Sequence, residues 1–290
     1  MFYKLLRLIR YLSNLPAIFL LEIASFYSII IKFMDYKNYE VFWEDQLQIK
    51  IDKKKGKKIY LDDKKYISFY TPTTISSYRS KTFFSKEPDT INWLNNLGKR
   101  NKVLYDIGGN MGIYSIYFSK KFNSLSYIFE PSFRNLNLIE RNIRLNNVNN
   151  KISIIPNPIY KKNIVSKLFQ LKSNVAGSAT STFDNKNIKE RLSNLIAQKS
   201  QMIGINVLSF SLDNLVRNKI IKKPDLIKID VDGNEYDVIL GAQKTLLNGK
   251  NLSILIEIQS YNKNKTLKLL KRLGFKIVSS RGKNFILKKK

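Results

Sequence analysis

The residues of this 290-residue chain whose types and spacing can do chemistry are Asp106, Glu130 and the acids between Asp230 and Glu235. Asp106 follows the β-favouring run Val103-Leu104-Tyr105, and the turn Gly108-Gly109-Asn110-Met111-Gly112 comes directly after. A glycine-rich turn between a strand and a helix lets a ligand approach the backbone, and the free N–H groups of the helix point at the same spot. Glu130 stands at the end of a second apolar run, where a carboxylate can accept hydrogen bonds from the vicinal hydroxyls of a ribose. A third run, Leu226-Ile227-Lys228-Ile229, ends in Asp230, Asp232 and Gly233, with Glu235 and Asp237 opening the next helical pattern. The chain has no histidine and no cysteine. Imidazole bases, thiolate nucleophiles and His- or Cys-ligated metals are therefore excluded, and a proton must go to a carboxylate, Lys, Tyr or water.

Two ligand classes use a glycine turn followed by an acid one strand later. The dinucleotide fingerprint G-x-G-x-x-G is absent, and an acid in Asp106's position repels a pyrophosphate. The same acid suits the ammonium and sulfonium of S-adenosylmethionine, so the methyl donor is the better reading. Asp106, Gly108, Gly109, Asn110, Gly112, Glu130, Pro131 and Asp230 are the expected cofactor contacts, with Asn157 a candidate adenine contact. Asp230 or Glu235, and Asp232 after them, are the candidate acids beside the acceptor. Asn157-Pro158-Ile159-Tyr160 is similar to an amino-methyltransferase box, but it follows the third strand and not the fourth, which argues against that chemistry.

These acids need one scaffold that brings them to the same edge. Strand patterns near 103–107, 125–129, 152–155, 226–231 and 253–258 alternate with helical ones, which predicts a parallel α/β sheet with ligands beyond the carboxyl ends of its strands. Phe275–Ser279 and Asn284–Leu287, joined across Arg281-Gly282, predict a C-terminal antiparallel hairpin. Lys228 points to the opposite side of its strand from Ile227 and Ile229 and is read as a salt-bridge partner within the sheet. Residues 174–204 form a long insertion expected to be a lid over the acceptor, with a polar helix in its second half.

The chain resembles the FkbM-type S-adenosylmethionine-dependent methyltransferases, through EPDTINWL, LYDIGGNMGIYS, FEPSFRNLNLIERNIRLNN, FSLDNLV, IKIDVDGNEYDVILGA and ILIEIQ. The resemblance implies a Rossmann-like class I methyltransferase fold with seven strands, and methyl transfer to a sugar or other hydroxyl oxygen. It implies cofactor contacts at Asp106, Gly108, Asn110, Gly112 and Glu130. Two departures are mild: family members often carry Ala at the position of Gly109 and Glu at that of Asp232.

Formal charge is +29, with Lys and Arg numbering 51 against 22 acids, and 43% of residues are hydrophobic, enough for a real core. The lysine is spread along the chain and no nucleic-acid-binding motif accompanies it, so a nucleic-acid partner is not expected. Leu5, Leu8, Ile9 and Leu12 share a helical face opposite Lys4, Arg7 and Arg10, the pattern of a helix at an anionic membrane interface. A helical hairpin packed on the core or on a second subunit explains residues 1–34 equally well. The apolar run 17–31 is too short for a spanning helix. The division expected is an N-terminal helical segment 1–40, a small β lead-in 41–88 and a methyltransferase domain 89–290. The expected setting is cytoplasmic, peripheral on the inner face of a membrane, with a small-molecule or glycan acceptor and the oligomeric state open. The rival reading is a membrane-docked binding or assembly protein that keeps the fold without catalysis.

Overall fold

The structure, a computed structural model, describes residues 56–62, 65–171, 175–179, 181–184 and 202–289, together with positions 19, 22, 23, 25 and 26. The patterns read in residues 1–34, the alternation at Leu47, Ile49 and Ile51, and the polar helix expected after residue 184 lie outside the described residues. The chain divides into two compact units, Met1–Lys54 and Lys55–Lys290. The second contains the elements that follow.

A hairpin opens it: β1 (Lys57–Tyr60) pairs antiparallel with β2 (Tyr66–Phe69). Here the lead-in departs from a purely β reading, because Thr74–Lys81 is a helix, α1. Its serine-rich sequence is a poor helix former, but Thr73 and Ser76 cap its first turn reciprocally. Helix α2 (Pro88–Leu97) follows, with Pro at its start, where the missing N–H costs nothing.

The main sheet is built from β3 (Val103–Ile107), β4 (Leu125–Phe129), β5 (Ile152–Ile155), β9 (Leu226–Ile229), β10 (Ser253–Glu257), β11 (Phe275–Arg281) and β12 (Asn284–Lys289). Its order is β11-β12-β10-β9-β3-β4-β5. The β5-β4-β3-β9-β10 portion is parallel, and β12 runs antiparallel between β10 and β11. The mostly parallel seven-stranded sheet with a C-terminal hairpin is thus as expected. Helices α3 (Ile113–Phe122) and α4 (Phe133–Asn146) follow β3 and β4, and α5 (Leu212–Arg217) precedes β9. Helices α6 (Glu235–Leu240) and α7 (Gln243–Asn248) link β9 to β10, and α8 (Lys263–Arg272) precedes β11.

Both faces of the sheet are covered, which explains the apolar strands. Tyr105, Ile107, Ile227, Ile229, Ile254 and Ile256 join Leu215, Val238, Leu246 and Leu270 of the helices in one core. On the other face Trp93 of α2 donates its indole N–H to Ser253 Oγ at 2.9 Å. β2 docks by side chain to backbone: Asn142 and Asn146 of α4 bond to Tyr70 and Ser68. The insertion between β5 and β9 carries a second sheet, β6 (Val165–Leu171), β7 (Thr182–Phe183) and β8 (Met202–Leu208), in the order β7-β6-β8. No helix among the described residues is long and apolar enough to cross a membrane.

Candidate cofactor and acceptor site

The parallel register places Asp106 beside Lys228, and Ile107 beside Ile229, so the ends of β3 and β9 are level. The β3–β4 register sets Phe129 beside Ile107, and Glu130 comes next. The glycine turn is stitched to this edge: the N–H groups of Gly108 and Gly109 both donate to the Phe129 carbonyl, at 2.9 and 3.3 Å. Gly108 has φ +82°, and a Cβ there would lie 1.9 Å from the Asp230 carbonyl oxygen. Glycine is required at that position on both counts.

Glu130 is 5% exposed and does more than await a ribose. Its Oε2 accepts from the Asn110 N–H at 2.8 Å, and its Oε1 accepts from the Ser132 N–H at 2.9 Å. The Asn135 side chain is a third hydrogen-bond partner, and a carboxylate's four acceptor positions leave room for a hydroxyl donor beside these three. Asp106 is buried, with Oδ2 bonded by the Ser115 hydroxyl at 2.7 Å. Asp106 Oδ1 and Asn110 Oδ1 are buried and have no hydrogen-bond partner among the described residues. Such atoms are costly unless a ligand satisfies them, and the donors they call for are those of an ammonium or a hydroxyl.

Lys228 is 3% exposed, with Nζ 3.1 Å from Asp230 Oδ2 and 5.2 Å from the centre of the Tyr114 ring. Burial opposes its charge, but the carboxylates of Asp230, Glu87 and Asp106 outweigh that and hold its pKa above the ordinary lysine value. Burial likewise works to raise Asp230, and Lys228 overcomes it, leaving that carboxyl below its usual range. Asp106, buried deeper, stays raised despite Lys228 and Ser115.

One cleft gathers most of these groups: Gly108, Asn110, Glu130, Pro131, Asp230 and Asp232 all line it. Asp106, Gly109 and Gly112 are not among its lining residues, and two further candidates are engaged elsewhere. Glu235 is fully buried; its Oε1 accepts from the Gly233 N–H at 2.6 Å and its Oε2 from the Asn262 amide at 3.0 Å. It braces the turn after β9 and does not line the cleft, because the helix begins there and turns it inward. The Asn157 amide donates to the Leu208 carbonyl at 2.8 Å, and Pro158 and Ile159 supply the cleft wall in its place.

Sequence reasoning missed four participants. Arg79 and Asn135 line the cleft and hold the strap 176–178 across it: Arg79 Nε donates to the Gly177 carbonyl at 2.8 Å and Asn135 Oδ1 accepts from the Gly177 N–H at 2.9 Å. Asn110 Nδ2 donates to the Ser178 carbonyl at 2.9 Å, tying that strap to the glycine turn. The others are Glu87, one of the acids around Lys228, and Glu257, whose carboxyl is raised by burial and then by Asp230 and Asp232. The ILIEIQ stretch carried Glu257 to the right strand end but gave no sign of its neighbours.

A model of the Methyltransferase FkbM domain matches residues 106–277, from Asp106 of the cofactor edge into β11. The chain belongs to the FkbM methyltransferase family. No curated protein matches it in sequence. Among solved structures it is similar to the precorrin-6y C5,15-methyltransferase of Geobacter metallireducens GS-15, at 13% identity over 77% of this chain and 94% of that one, TM-score 0.44. It is also similar to the magnesium protoporphyrin IX methyltransferase of Synechocystis PCC 6803, solved with bound SAM, at 11% identity over 76% and 86%, TM-score 0.42. The FkbM chain is a methyltransferase and its cofactor is S-adenosylmethionine, a group the cradle at Gly108 and the unpartnered Asp106 and Asn110 oxygens fit. When bound, that cofactor supplies an electrophilic methyl group.

Burial pushes the Glu130 carboxyl up to about 7, although the Ser132 and Asn110 N–H groups pull the other way. Its folded value exceeds the unfolded one, so its contribution to stability is complete below about pH 4.3 and is lost as pH rises through about 7. Hydroxyl donors favour the ionised form. S-adenosylhomocysteine affinity should therefore rise up to about tenfold per pH unit toward 7 and level off above it. Titration calorimetry from pH 5.5 to 8 reads this directly, and Glu130→Gln should flatten the profile. A wild-type profile with no slope would remove Glu130 as the ribose ligand.

Proposed function

We propose that this methyltransferase O-methylates a hydroxyl of a sugar-type acceptor, on a surface polysaccharide, a glycolipid or a secondary metabolite. The observation that carries the reading is the pair Asp230 and Asp232 lining the same cleft as the glycine turn. Carboxylates at a cleft wall accept hydrogen bonds from hydroxyls, and a chain without histidine or cysteine has few other groups to take a proton. Lys228 stabilises the ionised form of Asp230, which makes that carboxylate a weaker base than an ordinary aspartate. Asp232 is then the acid that faces the acceptor, with Asp230 and Lys228 setting the charge beneath it. The strap 176–178 covers the cofactor side, and residues 1–34 hold the enzyme at the inner face of a membrane.

Intact Asp106, Gly108 and Glu130 argue against a non-catalytic scaffold, which has no use for a cradle that a single Cβ would block. The test compares glycan fractions from cells with and without the gene by mass spectrometry. One methyl ether should be missing from a defined sugar when the gene is absent. A lost methyl on an amine or a ring carbon, with every ether retained, would overturn the O-methylation reading.

A further inference from the structure

The charges of the catalytic unit are sorted along the strand axis. Asp106, Glu130, Asp230 and Asp232 stand at the carboxyl ends of the parallel strands. The opposite edge, where those strands begin, is basic. Lys219, Lys222 and Lys223 lie on the lead into β9, Lys250 on the lead into β10, and Arg217 and Lys244 on the flanking helices α5 and α7; all six are exposed. None of them stands in an ion pair with a described residue.

The acids of this edge are already engaged. Asp225 is paired with Lys102 at 2.8 Å, and Asp213 accepts from the backbone N–H groups of Lys244 and Thr245 at 2.9 and 2.7 Å. Helix ends explain only part of the excess. Arg217 sits in the last turn of α5, where a cation offsets the helix dipole. The three lysines of 219–223 lie beyond that helix, and α7 has no basic residue in its last turn.

A pocket between α5 and α7 gathers Arg217, Lys219, Lys223 and Lys244. Ile220, 60% exposed, and Leu247, 54% exposed, lie on the two segments that form it. Charge alone would suit any polyanion. The two aliphatic side chains decide between them: they gain from acyl burial beside anionic headgroups and gain nothing from a phosphate backbone in water.

We infer that this strand-start edge is a docking face for an anionic lipid bilayer, separate from the N-terminal segment and independent of the acceptor's identity. Docked by this edge, the protein turns its cofactor cleft away from the lipid. The four residues of β9 set the two edges roughly 13 Å apart along the strand. The hydroxyl to be methylated is then reached on a glycan or solute in the aqueous phase, not at the lipid phosphate.

The test uses the full chain and two vesicle preparations, phosphatidylcholine alone and phosphatidylcholine with phosphatidylglycerol. The wild type should sediment with the anionic vesicles only. Each lysine near an anionic surface contributes about a fivefold factor, so Lys219→Glu combined with Lys223→Glu should weaken vesicle binding by about 30-fold or more. Ile220→Asp should weaken it as well. Both variants should bind S-adenosylhomocysteine as the wild type does, which shows that they are folded. Unchanged vesicle binding by the double variant overturns the inference, as does equal binding to neutral vesicles. Tighter binding of duplex DNA or RNA than of vesicles, lost in the same variants, would reassign the face to nucleic acid.

Discussion

Replacing Gly108 with valine should abolish S-adenosylmethionine binding. Two independent obstacles act at this position. The backbone is left-handed, φ +82°, which a β-branched residue adopts only at a cost of about 1–3 kcal/mol. The new Cβ would also lie 1.9 Å from the Asp230 carbonyl oxygen. That atom belongs to the backbone at the end of β9, so no rotamer change relieves the overlap, and the turn must leave the Phe129 carbonyl on which it hangs. Gly109 one residue on provides the contrast. A Cβ there meets Ile128 Cγ2 at 2.4 Å, the branch methyl of a fully buried side chain, so its cost falls on core packing and not on the backbone of the turn. Gly109→Ala should bind S-adenosylhomocysteine nearly as the wild type does. Calorimetry on both variants, with a thermal melt to establish folding, tests the pair, and Gly108→Ala provides a smaller probe of the same clash. Wild-type affinity in the Gly108 variants would mean that the turn is not the cofactor cradle.

The cofactor edge was legible because it depends on local chemistry. A β-favouring run, an acid, then glycines announces strand, ligand edge and helix within a dozen or so residues, and the boundaries of β3, β4 and β5 follow from it. The secondary sheet of the insertion was not legible. β6 and β8 pair antiparallel from Val165–Leu208 to Leu171–Met202, far apart in sequence, and Ile203 and Leu208 of β8 remain 40% and 41% exposed. Leu168 and Gln170 of β6 are buried and Ile205 and Val207 of β8 are half-buried, an alternation too short to say which distant segment each strand pairs with. Lys228 is an intermediate case: alternation assigned it a face, but its partner Glu87 arrives through packing of the segment that opens α2. Glu235 shows a different limit. An acid two residues after a strand-end glycine looks the same in sequence whether it serves the acceptor or braces the turn. The Asn262 side chain, 27 residues further on, decides it.

That difference among the acids sets the second large effect, on turnover. Asp232→Asn should slow single-turnover methyl transfer by about 10² to 10⁴, the range for loss of a general base, with S-adenosylhomocysteine affinity unchanged. Glu235→Gln should behave differently, because an amide nitrogen in place of either oxygen sets a donor against the Gly233 N–H or the Asn262 amide. The expected cost is about 1–3 kcal/mol of stability, visible in chemical denaturation, with turnover per folded molecule retained. Asp230→Asn removes the charge that Lys228 pairs with at 3.1 Å, so its first effect should fall on cofactor affinity and only then on rate. If alignment alone drives the reaction, all three isosteres transfer methyl groups at near-wild-type rates and no base need be invoked. One further outcome is informative. Burial and the charges of Asp230 and Asp232 raise the Glu257 carboxyl, which moves it toward the range where a carboxylate is an effective base. A fast Asp232→Asn beside a slow Glu257→Gln would transfer the base from the end of β9 to the end of β10, leaving the cofactor cradle as described.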